Sequence, residues 1–175
     1  LAIAGNVYNR NLGDTKIIVT RYGNVINSRG SVIELWEKQL KEGKPLTLTD
    51  ERMTRFWMPI ETAVQLIMTA IKEGKGGEIF IPKAPKRRMW NVLDELCGKK
   101  EKLPEGCINV YQGTKKVIIT GLRPSEKLHE TLINEHEANR TLEFKEHYII
   151  LPEFLPASKY PKSKKYKGGS YTSEI

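Results

Sequence analysis

The sequence predicts an α/β protein, because strand patterns and an amphipathic helix alternate along the chain. Residues 16–22, K-I-I-V-T-R-Y, form a β-branched run with a continuous apolar centre, typical of a strand buried on both faces of a parallel sheet. Residues 59–71 follow with a proline and then apolar side chains at helical spacing, and residues 78–81 form a further strand. A strand, a helix and a strand in this order indicate part of a parallel α/β unit.

The helix after Pro59 has the clearest pattern in the chain, and Gly76 and Gly77 end it. Its apolar side chains recur at i, i+3, i+4, i+7, i+8 and i+11, which predicts one continuous face toward the core. That predicted core face consists of Ile60, Ala63, Val64, Ile67, Met68 and Ile71.

The other predicted elements are shorter. Ser31 and Glu34 have the spacing of a capping box, which predicts a helix up to residue 42 that ends at Gly43. Pro124 predicts the first turn of another helix. The remaining helices are expected at residues 1–12, 89–97 and 124–133, and the remaining strands at residues 46–48, 53–58, 117–120, 141–145 and 147–151.

Composition excludes several classes of protein. The chain has 175 residues and no run of 18 apolar residues, so we expect no membrane span within it. Cys97 and Cys107 form no CxxC pair, and the three histidines have no ligand-like spacing with them, so we predict no metal site. Low cysteine usage and the absence of a signal-peptide pattern predict a cytoplasmic protein.

The formal charge of +8 leaves nucleic acid binding open. Residues 152–175 contain five lysines and two glutamates among Pro, Ser, Gly and Tyr, which predicts a basic, flexible tail. Outside this tail, arginines occur at strand ends and helix starts rather than along one solvated face. We therefore expect a small anionic ligand and no nucleic acid.

Four short blocks suit a diphosphate ligand: R-Y-G-N-V at residues 21–25, R-G-S-V at 29–32, T-R-F at 54–56 and R-P-S-E-K at 123–127. Each places an arginine, an asparagine or a helix start where the chain leaves an apolar strand or enters a helix. Guanidinium groups and free N–H groups at helix starts are common ligands of phosphate.

Arg55 and Arg123 are the candidate diphosphate ligands. Arg55 lies in an apolar segment, and a buried guanidinium needs an anionic partner. Arginine can hold two phosphate oxygens in one plane, which lysine cannot. The alternative is a structural ion pair with Asp50, Glu51 or Glu126.

Asn24, Ser31 and Val32 are candidate substrate-binding residues on the same reasoning. The N–H groups of Ser31 and Val32 start a helix, where they and the helix dipole suit a diphosphate. The alternative is an ordinary helix cap, and both roles can hold together. For Asn24, the amide can bond a sugar hydroxyl or a phosphate, or else the backbone of its own turn.

The blocks listed above, together with D-E-R-M-T-R-F-W, G-G-E-I-F-I-P-K and G-L-R-P-S-E-K-L-H-E, resemble the polysaccharide-biosynthesis branch of the extended short-chain dehydrogenases. The resemblance is greatest to the inverting UDP-N-acetylglucosamine 4,6-dehydratases, which supply precursors for flagellin glycans, capsules and O-antigens. It extends over residues 1–151, and the tail motif G-G-S-Y-T-S-E resembles the C-terminal segment of that family.

This resemblance implies that the chain is the C-terminal part of an extended Rossmann-type, NAD(P)-binding fold with a small α/β substrate-binding region. Residues 1–30 and 59–82 would be a remnant of the Rossmann domain, and residues 31–58 and 83–151 the nucleotide-sugar-binding region. The complete enzyme would carry NADP or NAD, have an N-terminal Rossmann part that this chain lacks, and form a homo-oligomer.

The resemblance also implies roles for individual residues. Thr47 and Thr49 would face the uracil, and Glu126 would accept the ribose hydroxyls; the alternatives are simple strand propensity and stabilisation of a helix start. Two positions depart from the family pattern: Ser125 replaces the usual glycine of R-P-G-E-K, and Trp90 stands where relatives often have a helix-capping threonine.

The predicted function is therefore the substrate-binding part of a dehydratase that acts on UDP-N-acetylglucosamine with inversion at C5. The chain has no Gly-rich phosphate loop after an N-terminal strand and no Tyr-x-x-x-Lys pair in a predicted helix, since Leu12 stands four residues after Tyr8. We thus assign no catalytic residue within it. The alternatives are an epimerase or another dehydratase of the same superfamily, or a non-catalytic module that binds a UDP-sugar or nucleic acid.

Overall fold

The computed structural model describes residues 15–97, 110–111 and 115–175. The helices are α1 (Val32–Lys41), α2 (Ile60–Glu73), α3 (Met89–Cys97), α4 (Glu135–Ala138) and a 3-10 turn at Ala157–Lys159. The strands are β1 (Val19–Thr20), β2 (Asn24–Val25), β3 (Leu46–Leu48), β4 (Thr54–Met58), β5 (Ile79–Pro82), β6 (Lys86–Arg88), β7 (Val110–Tyr111), β8 (Lys115–Ile119), β9 (Thr131–Ile133), β10 (Thr141–Glu143), β11 (His147–Ile150), β12 (Lys164–Lys165) and β13 (Tyr171–Thr172).

The helix predicted at residues 1–12 lies outside the described residues. Among the residues that are described, no helix is both long and apolar enough to cross a bilayer. Two compact units divide the chain. The first unit consists of Leu1–Asn24, Met58–Pro85 and Thr131–Thr172, and the second of Val25–Trp57, Lys86–Glu130 and Ser173–Ile175.

The first unit contains a five-stranded sheet in the order β1-β5-β11-β10-β12. Strands β1 and β5 are parallel, with Val19 opposite Ile79, and the β10–β11 hairpin continues the sheet in antiparallel pairing. Helix α2 packs on this sheet around the fully buried Phe80 and Ile149. The predicted α/β class is confirmed. Strand β1, however, is half-buried rather than buried on both faces, because it lies at the edge of the described sheet.

The predicted core face of α2 is wrong. Ala63, Leu66 and Ala70 are the helix residues that are buried. Of the six residues predicted to face the core, only Ala63 does so, and the other five are exposed: Ile60 (54%), Val64 (50%), Ile67 (37%), Met68 (56%) and Ile71 (68%). The alanine side chains allow the helix to approach β1 and β5 closely. The larger apolar row therefore points away from the sheet, where periodicity alone cannot place it.

Residues 152–175 differ from the predicted flexible tail. Tyr160 is buried, and its hydroxyl donates to the carboxylate of Glu78 (2.5 Å). Glu78 is itself fully buried and accepts from the backbone N–H groups of Lys75 (2.6 Å) and Gly76 (2.7 Å). Burial, and next to it the Glu78 carboxylate, raises the pKa of Tyr160 far above its ordinary value, so the hydroxyl keeps its proton. The tail is anchored by this buried hydrogen bond.

The second unit is built on the parallel pair β3 and β8, with β7 antiparallel to β8. Helices α1 and α3 contribute to one core, in which Trp36, Leu46, Leu93 and Val117 are fully buried. The predicted helices at residues 31–42 and 89–97 are confirmed within one residue. Trp90 lies in the first turn of α3 and packs into this core, so the helix forms without a capping threonine.

No helix forms at residues 124–133. The chain makes a turn there, in which the N–H of Glu126 donates to the carbonyl of Arg123 (3.0 Å), and then enters β9. Ser125 has φ of 69°, a left-handed conformation that ends helical geometry directly after Pro124. The strand β9 pairs instead with β13, an interaction between distant segments that local sequence cannot indicate.

We expect the exposed apolar face of α2 to make the chain associate, because five large apolar side chains on one helix face form a patch that solvent disfavours. Replacing Met68 with Lys and Ile71 with Glu should shift the chain toward monomer in sedimentation velocity. Gln65→Glu, an exposed polar position on the same helix, is the matched control and should leave the distribution unchanged. A double variant that associates as strongly as the native chain would show that another surface is responsible.

Candidate functional site

The candidate site lies where the parallel strands β3 and β8 of the second unit end. Thr47 and Leu48 lie opposite Ile118 and Ile119 in the register. The pairing continues past the strands, because Thr120 donates its N–H to the carbonyl of Leu48 (2.9 Å) and Gly121 donates to that of Thr49 (3.1 Å). Thr49 therefore lies beside the loop of residues 120–126. In open α/β sheets, the carboxyl ends of parallel strands are the usual place for a ligand.

The loop presents Arg123 and Glu126. The backbone N–H of Arg123 donates to the Glu126 carboxylate (3.2 Å), which closes the turn. The Arg123 side chain is exposed, and no carboxylate in the described part of the chain lies within ion-pairing distance of its guanidinium. Arg123 is thus a cation that is held by its backbone and is open to an anionic ligand.

Arg55, unlike Arg123, is buried and hydrogen-bonded within the protein. It is 8% exposed, and its Nη1 donates to the carbonyls of Thr54 (2.8 Å) and Leu128 (3.1 Å). Its Nη2 is 4.0 Å from Oε1 of Glu126, and its Nε is 3.6 Å from Oε1 of Glu130. The carbonyls fix the guanidinium, and the two carboxylates compensate its charge from beyond hydrogen-bonding distance. The alternative of an ion pair with Glu126 is therefore present in part, and phosphate binding by Arg55 stays a prediction.

The start of α1 lacks the predicted reciprocal capping box. Ser31 has the extended backbone of a cap residue, but its hydroxyl makes no cap hydrogen bond and is buried without a partner among the described residues. Glu34 accepts instead from the N–H of Gly30 (2.6 Å), one residue earlier than a capping box requires. The side chain of Val32 packs against the core, so only its backbone can meet a ligand.

Thr47 is held by Gln39. The Gln39 amide donates to the Thr47 hydroxyl (3.0 Å) and accepts from the Thr47 N–H (3.1 Å), while Trp36 donates its ring N–H to the Thr47 carbonyl (2.7 Å). The hydroxyl can still donate one hydrogen bond. Asn24 lies in β2 and belongs to the first unit, whereas the other seven candidate residues belong to the second.

A cavity of about 430 Å³ opens in the second unit. Its lining includes Arg52, Thr54, Arg88, Trp90, His129 and Glu174, none of which was a predicted site residue. Arg52 is already engaged by Asp50 through both carboxylate oxygens (3.0 and 2.8 Å), which lowers the pKa of Asp50 to about 2. Arg88 has no ion-pair partner among the described residues, so it is the cation that this cavity offers to a ligand.

A chain of hydroxyl groups forms one wall of the cavity. The Thr54 hydroxyl lies 2.7 Å from Nδ1 of His129 and 2.8 Å from the Ser173 hydroxyl. Ser173 donates to the Thr54 carbonyl (3.0 Å) and accepts from the N–H of Glu130 (2.8 Å). Sequence reasoning missed this group, because its members are far apart in the chain and each is an ordinary polar residue. Thr54 lies in the T-R-F block, His129 in R-P-S-E-K-L-H-E and Ser173 in the tail motif, but nothing local indicates that the three meet.

Comparison with known proteins shows the family of the chain. The family described as polysaccharide biosynthesis protein matches residues 2–152. An inverting UDP-N-acetylglucosamine 4,6-dehydratase from Campylobacter jejuni is 38% identical over 151 residues, which are 86% of this chain and 39% of that protein. A UDP-glucose 4-epimerase from Rickettsia rickettsii is 35% identical over 141 residues, 81% of this chain and 38% of that protein.

Two further comparisons cover nearly the whole chain. A protein from Methanocaldococcus jannaschii, described as an uncharacterized membrane protein, is 39% identical over 166 residues, 93% of this chain and 47% of that protein. The X-ray structure of Pen from Bacillus thuringiensis superimposes with a TM-score of 0.80 at 30% identity, and covers 98% of this chain and 49% of that one. The chain thus spans about half, or less, of the length of the proteins it matches.

The left-handed backbone at Ser125 leads to a prediction. Glycine should relieve about 1–2 kcal/mol of strain there and lose about 0.4–1 kcal/mol through the freer unfolded chain. We therefore expect Ser125→Gly to raise the free energy of unfolding in urea by about 0.5–1 kcal/mol. Ser28→Gly, at an exposed loop serine without positive φ, should lower it instead. Equal destabilisation by both variants would contradict the assigned strain.

Proposed function

The chain belongs to the polysaccharide biosynthesis protein family, and we propose that its second unit is the part that binds the UDP moiety of a nucleotide sugar. The observation that carries this proposal is the open guanidinium of Arg123 at the carboxyl ends of two parallel strands. A nucleoside diphosphate requires a planar cation that is held in place and is open to phosphate, with hydroxyl and carboxylate groups nearby.

The proposed contacts follow from the chemistry of each group. Arg123 binds the diphosphate, and Arg55 joins it by exchanging its distant carboxylates for phosphate oxygens. Glu126, whose carboxylate lies in the same turn, accepts from the ribose hydroxyls. Thr47 on β3 and Thr49, the residue after its end, donate to the uracil carbonyls. These assignments rest on the family resemblance and are compatible with the contacts in the structure.

Backbone N–H groups add to the proposed grip. Val32 begins a ten-residue helix, whose first N–H groups have no acceptor within the helix. The N–H of Ser31, the residue before it, donates to the carbonyl of Ser28 (3.1 Å), so it can bind a ligand only in exchange for that bond. The buried and unpartnered hydroxyl of Ser31 supports a ligand at this position, because a buried hydroxyl without a hydrogen bond is costly. Asn24 is proposed to contact the sugar in the complete protein.

We propose that the complete protein dehydrates UDP-N-acetylglucosamine across C5 and C6 and inverts C5, as the named Campylobacter relative indicates. An epimerase is the second candidate, because relatives named UDP-glucose 4-epimerase are 35% identical to the chain. Both reactions would use NADP or NAD. The chain has no Gly-rich loop after an N-terminal strand, and its two Tyr-x-x-x-Lys matches do not lie on a helix. Tyr111 and Lys115 lie on β7 and β8, and Tyr160 and Lys164 lie at the end of the 3-10 turn and on β12. Arg21, near the end of β1, is engaged by Glu137 through two hydrogen bonds (2.8 and 2.9 Å). We therefore assign no nicotinamide site to the described residues and no step of hydride transfer to this chain.

The two reactions differ in the mass of their products. The complete protein with NADP⁺ should convert UDP-N-acetylglucosamine into a product that has lost one water, as measured by mass spectrometry. An epimerase would give a product of unchanged mass. No conversion of UDP-N-acetylglucosamine, together with epimerisation of UDP-glucose, would favour the second candidate.

The diphosphate grip can be tested by calorimetry with UDP-N-acetylglucosamine. We expect Arg123→Ala to weaken binding by about 2–4 kcal/mol, because it removes a charge-assisted contact, and Arg123→Lys to recover only part of this loss. Because the Arg123 guanidinium has no carboxylate partner among the described residues, its removal should leave thermal stability nearly unchanged. Arg55→Ala should weaken binding by a similar amount and also destabilise the fold, since two buried carbonyls lose their donor.

Arg140→Ala is the matched control, since Arg140 is a half-buried arginine of the first unit. Its removal should not affect binding. If Arg55→Ala lowered stability while both Arg55→Ala and Arg123→Ala kept the native affinity, the ion-pair interpretation would be correct. The binding role of the second unit would then be withdrawn.

A further inference from the structure

His129 lies on the wall of the cavity in the second unit, and its neighbours determine where its proton sits. Thr54 and Ser173, the two hydroxyl residues beside it, are 2% and 0% exposed. Buried hydroxyl groups are almost always hydrogen-bonded, so the four contacts around them should all be made at once. Each hydroxyl can donate only one hydrogen bond, which limits the possible arrangements.

Only one arrangement makes all four contacts. The Ser173 hydroxyl donates to the Thr54 carbonyl (3.0 Å) and accepts from the N–H of Glu130 (2.8 Å). Because the Ser173 proton is used, the Thr54 hydroxyl must be the donor in its 2.8 Å contact with Ser173. Thr54 then has no proton left for His129, so the 2.7 Å contact requires that Nδ1 of His129 carries the hydrogen and donates it.

The opposite tautomer loses a contact. If Thr54 donated to Nδ1 of His129, Ser173 would have to donate to Thr54, and the Thr54 carbonyl would lose the Ser173 proton. The hydroxyl chain therefore favours the Nδ1–H form of the neutral ring. In that form Nε2 is a bare acceptor. Nε2 is not among the buried polar atoms without a partner, and no described residue forms a hydrogen bond with it, so it is accessible to solvent on a residue that lines the cavity.

The cavity thus offers groups of opposite hydrogen-bonding character. Arg88 can only donate, whereas neutral His129 with a bare Nε2 can only accept toward the cavity. The ring of Trp90 forms part of the same lining. A phosphate oxygen has no proton at neutral pH to give to Nε2. The partner of His129 must be a ligand group with an N–H or O–H, such as a sugar hydroxyl, an acetamido N–H or the imide of uracil.

We propose that His129 is a substrate-positioning residue that accepts a hydrogen bond from a hydroxyl, amide or imide group of the nucleotide sugar, and that Thr54 and Ser173 fix the tautomer it needs for this. This inference rests on the proposed UDP-sugar binding and extends it to a cavity that the predicted site residues do not line. It also gives Ser173 a role, since the Ser173 hydroxyl holds the Thr54 hydroxyl in the orientation that accepts from His129.

The tautomer can be measured without a ligand. Two-bond ¹H–¹⁵N spectra of the ¹⁵N-histidine chain at pH 8, above the range in which histidines ordinarily gain a proton, should show Nδ1 of His129 protonated and Nε2 bare. Thr54→Val and Ser173→Ala should each shift the ring toward the Nε2–H form, which predominates in a free histidine side chain. Thr141→Val, which removes another buried hydroxyl that donates to a backbone carbonyl, is the control and should leave the tautomer unchanged. An Nε2–H ring in the native chain would overturn the proposal.

Two variants test the ligand contact, and each keeps the hydrogen-bonding group of only one of the two ring nitrogens. His129→Asn keeps a donor near the position of Nδ1 and removes the acceptor, whereas His129→Gln keeps an acceptor near Nε2 and removes the donor to Thr54. We expect His129→Asn to retain the native melting temperature but to bind UDP-N-acetylglucosamine about threefold to tenfold more weakly, the effect of one neutral hydrogen bond. His129→Gln should bind more tightly than His129→Asn although it is less stable.

Binding of UDP-N-acetylglucosamine by the native chain separates the two proposals. If the native chain binds and His129→Asn binds equally well, His129 has only a structural role and this inference is overturned, while the proposed function stands. If Arg123→Ala abolishes binding and His129→Asn weakens it, both proposals are supported. If the native chain shows no affinity for the nucleotide sugar, the proposed function fails, and the ligand assigned to His129 fails with it.

Discussion

The parallel pairing of β3 with β8 is the interaction on which the candidate site depends. It joins residues 46–48 to residues 115–119, and its hydrogen bonds continue to Gly121. Because both strands run in the same direction, the segments that follow them emerge at one edge of the sheet. Thr49 and the Arg123 turn meet there, and the core around Trp36 holds the strands against α1 and α3. Without this pairing, the motifs that the sequence separates by seventy residues would have no common surface.

Much of the fold could be predicted from local pattern, and the failures have a common cause. Helices α1, α2 and α3 and the hairpin β10–β11 are where the sequence predicts them, because periodicity and turn residues are local properties. Helix α2 shows the limit of that reasoning, because the face predicted to be buried is mostly exposed. Periodicity finds an apolar row on a helix, but Ala63 and Ala70 fit the sheet more closely, and only the tertiary structure decides between the two rows. The prediction of a flexible tail differs from the structure for the same reason, since the composition of the tail gives no indication of the buried contact between Tyr160 and Glu78.

The candidate site divides in the same way. The start of α1 was predictable, because Ser31 and Glu34 mark it in the sequence. Arg123 was expected before a helix, whereas the structure places it in a turn after β8, and its binding role stays a prediction. The neighbours of Arg55 were predictable only in part, since Glu126 is in a recognisable motif and the carbonyl of Leu128 is not. The hydroxyl chain to His129 was not predictable, because Thr54 and Ser173 are 119 residues apart. His129 is thus a further candidate hydrogen-bond acceptor, in a cavity that the predicted site residues do not line.

The central claim is that the second unit binds the UDP moiety of a nucleotide sugar. The most direct measurement is a titration of the ¹⁵N-labelled chain with UDP-N-acetylglucosamine, followed by backbone amide NMR. The account predicts saturable shifts that concentrate at residues 31–32, 47–55 and 120–130, together with residues 88–91 and 173–175. Shifts that concentrate instead in the β10–β11 hairpin of the first unit, or the absence of any saturable shift, would contradict it.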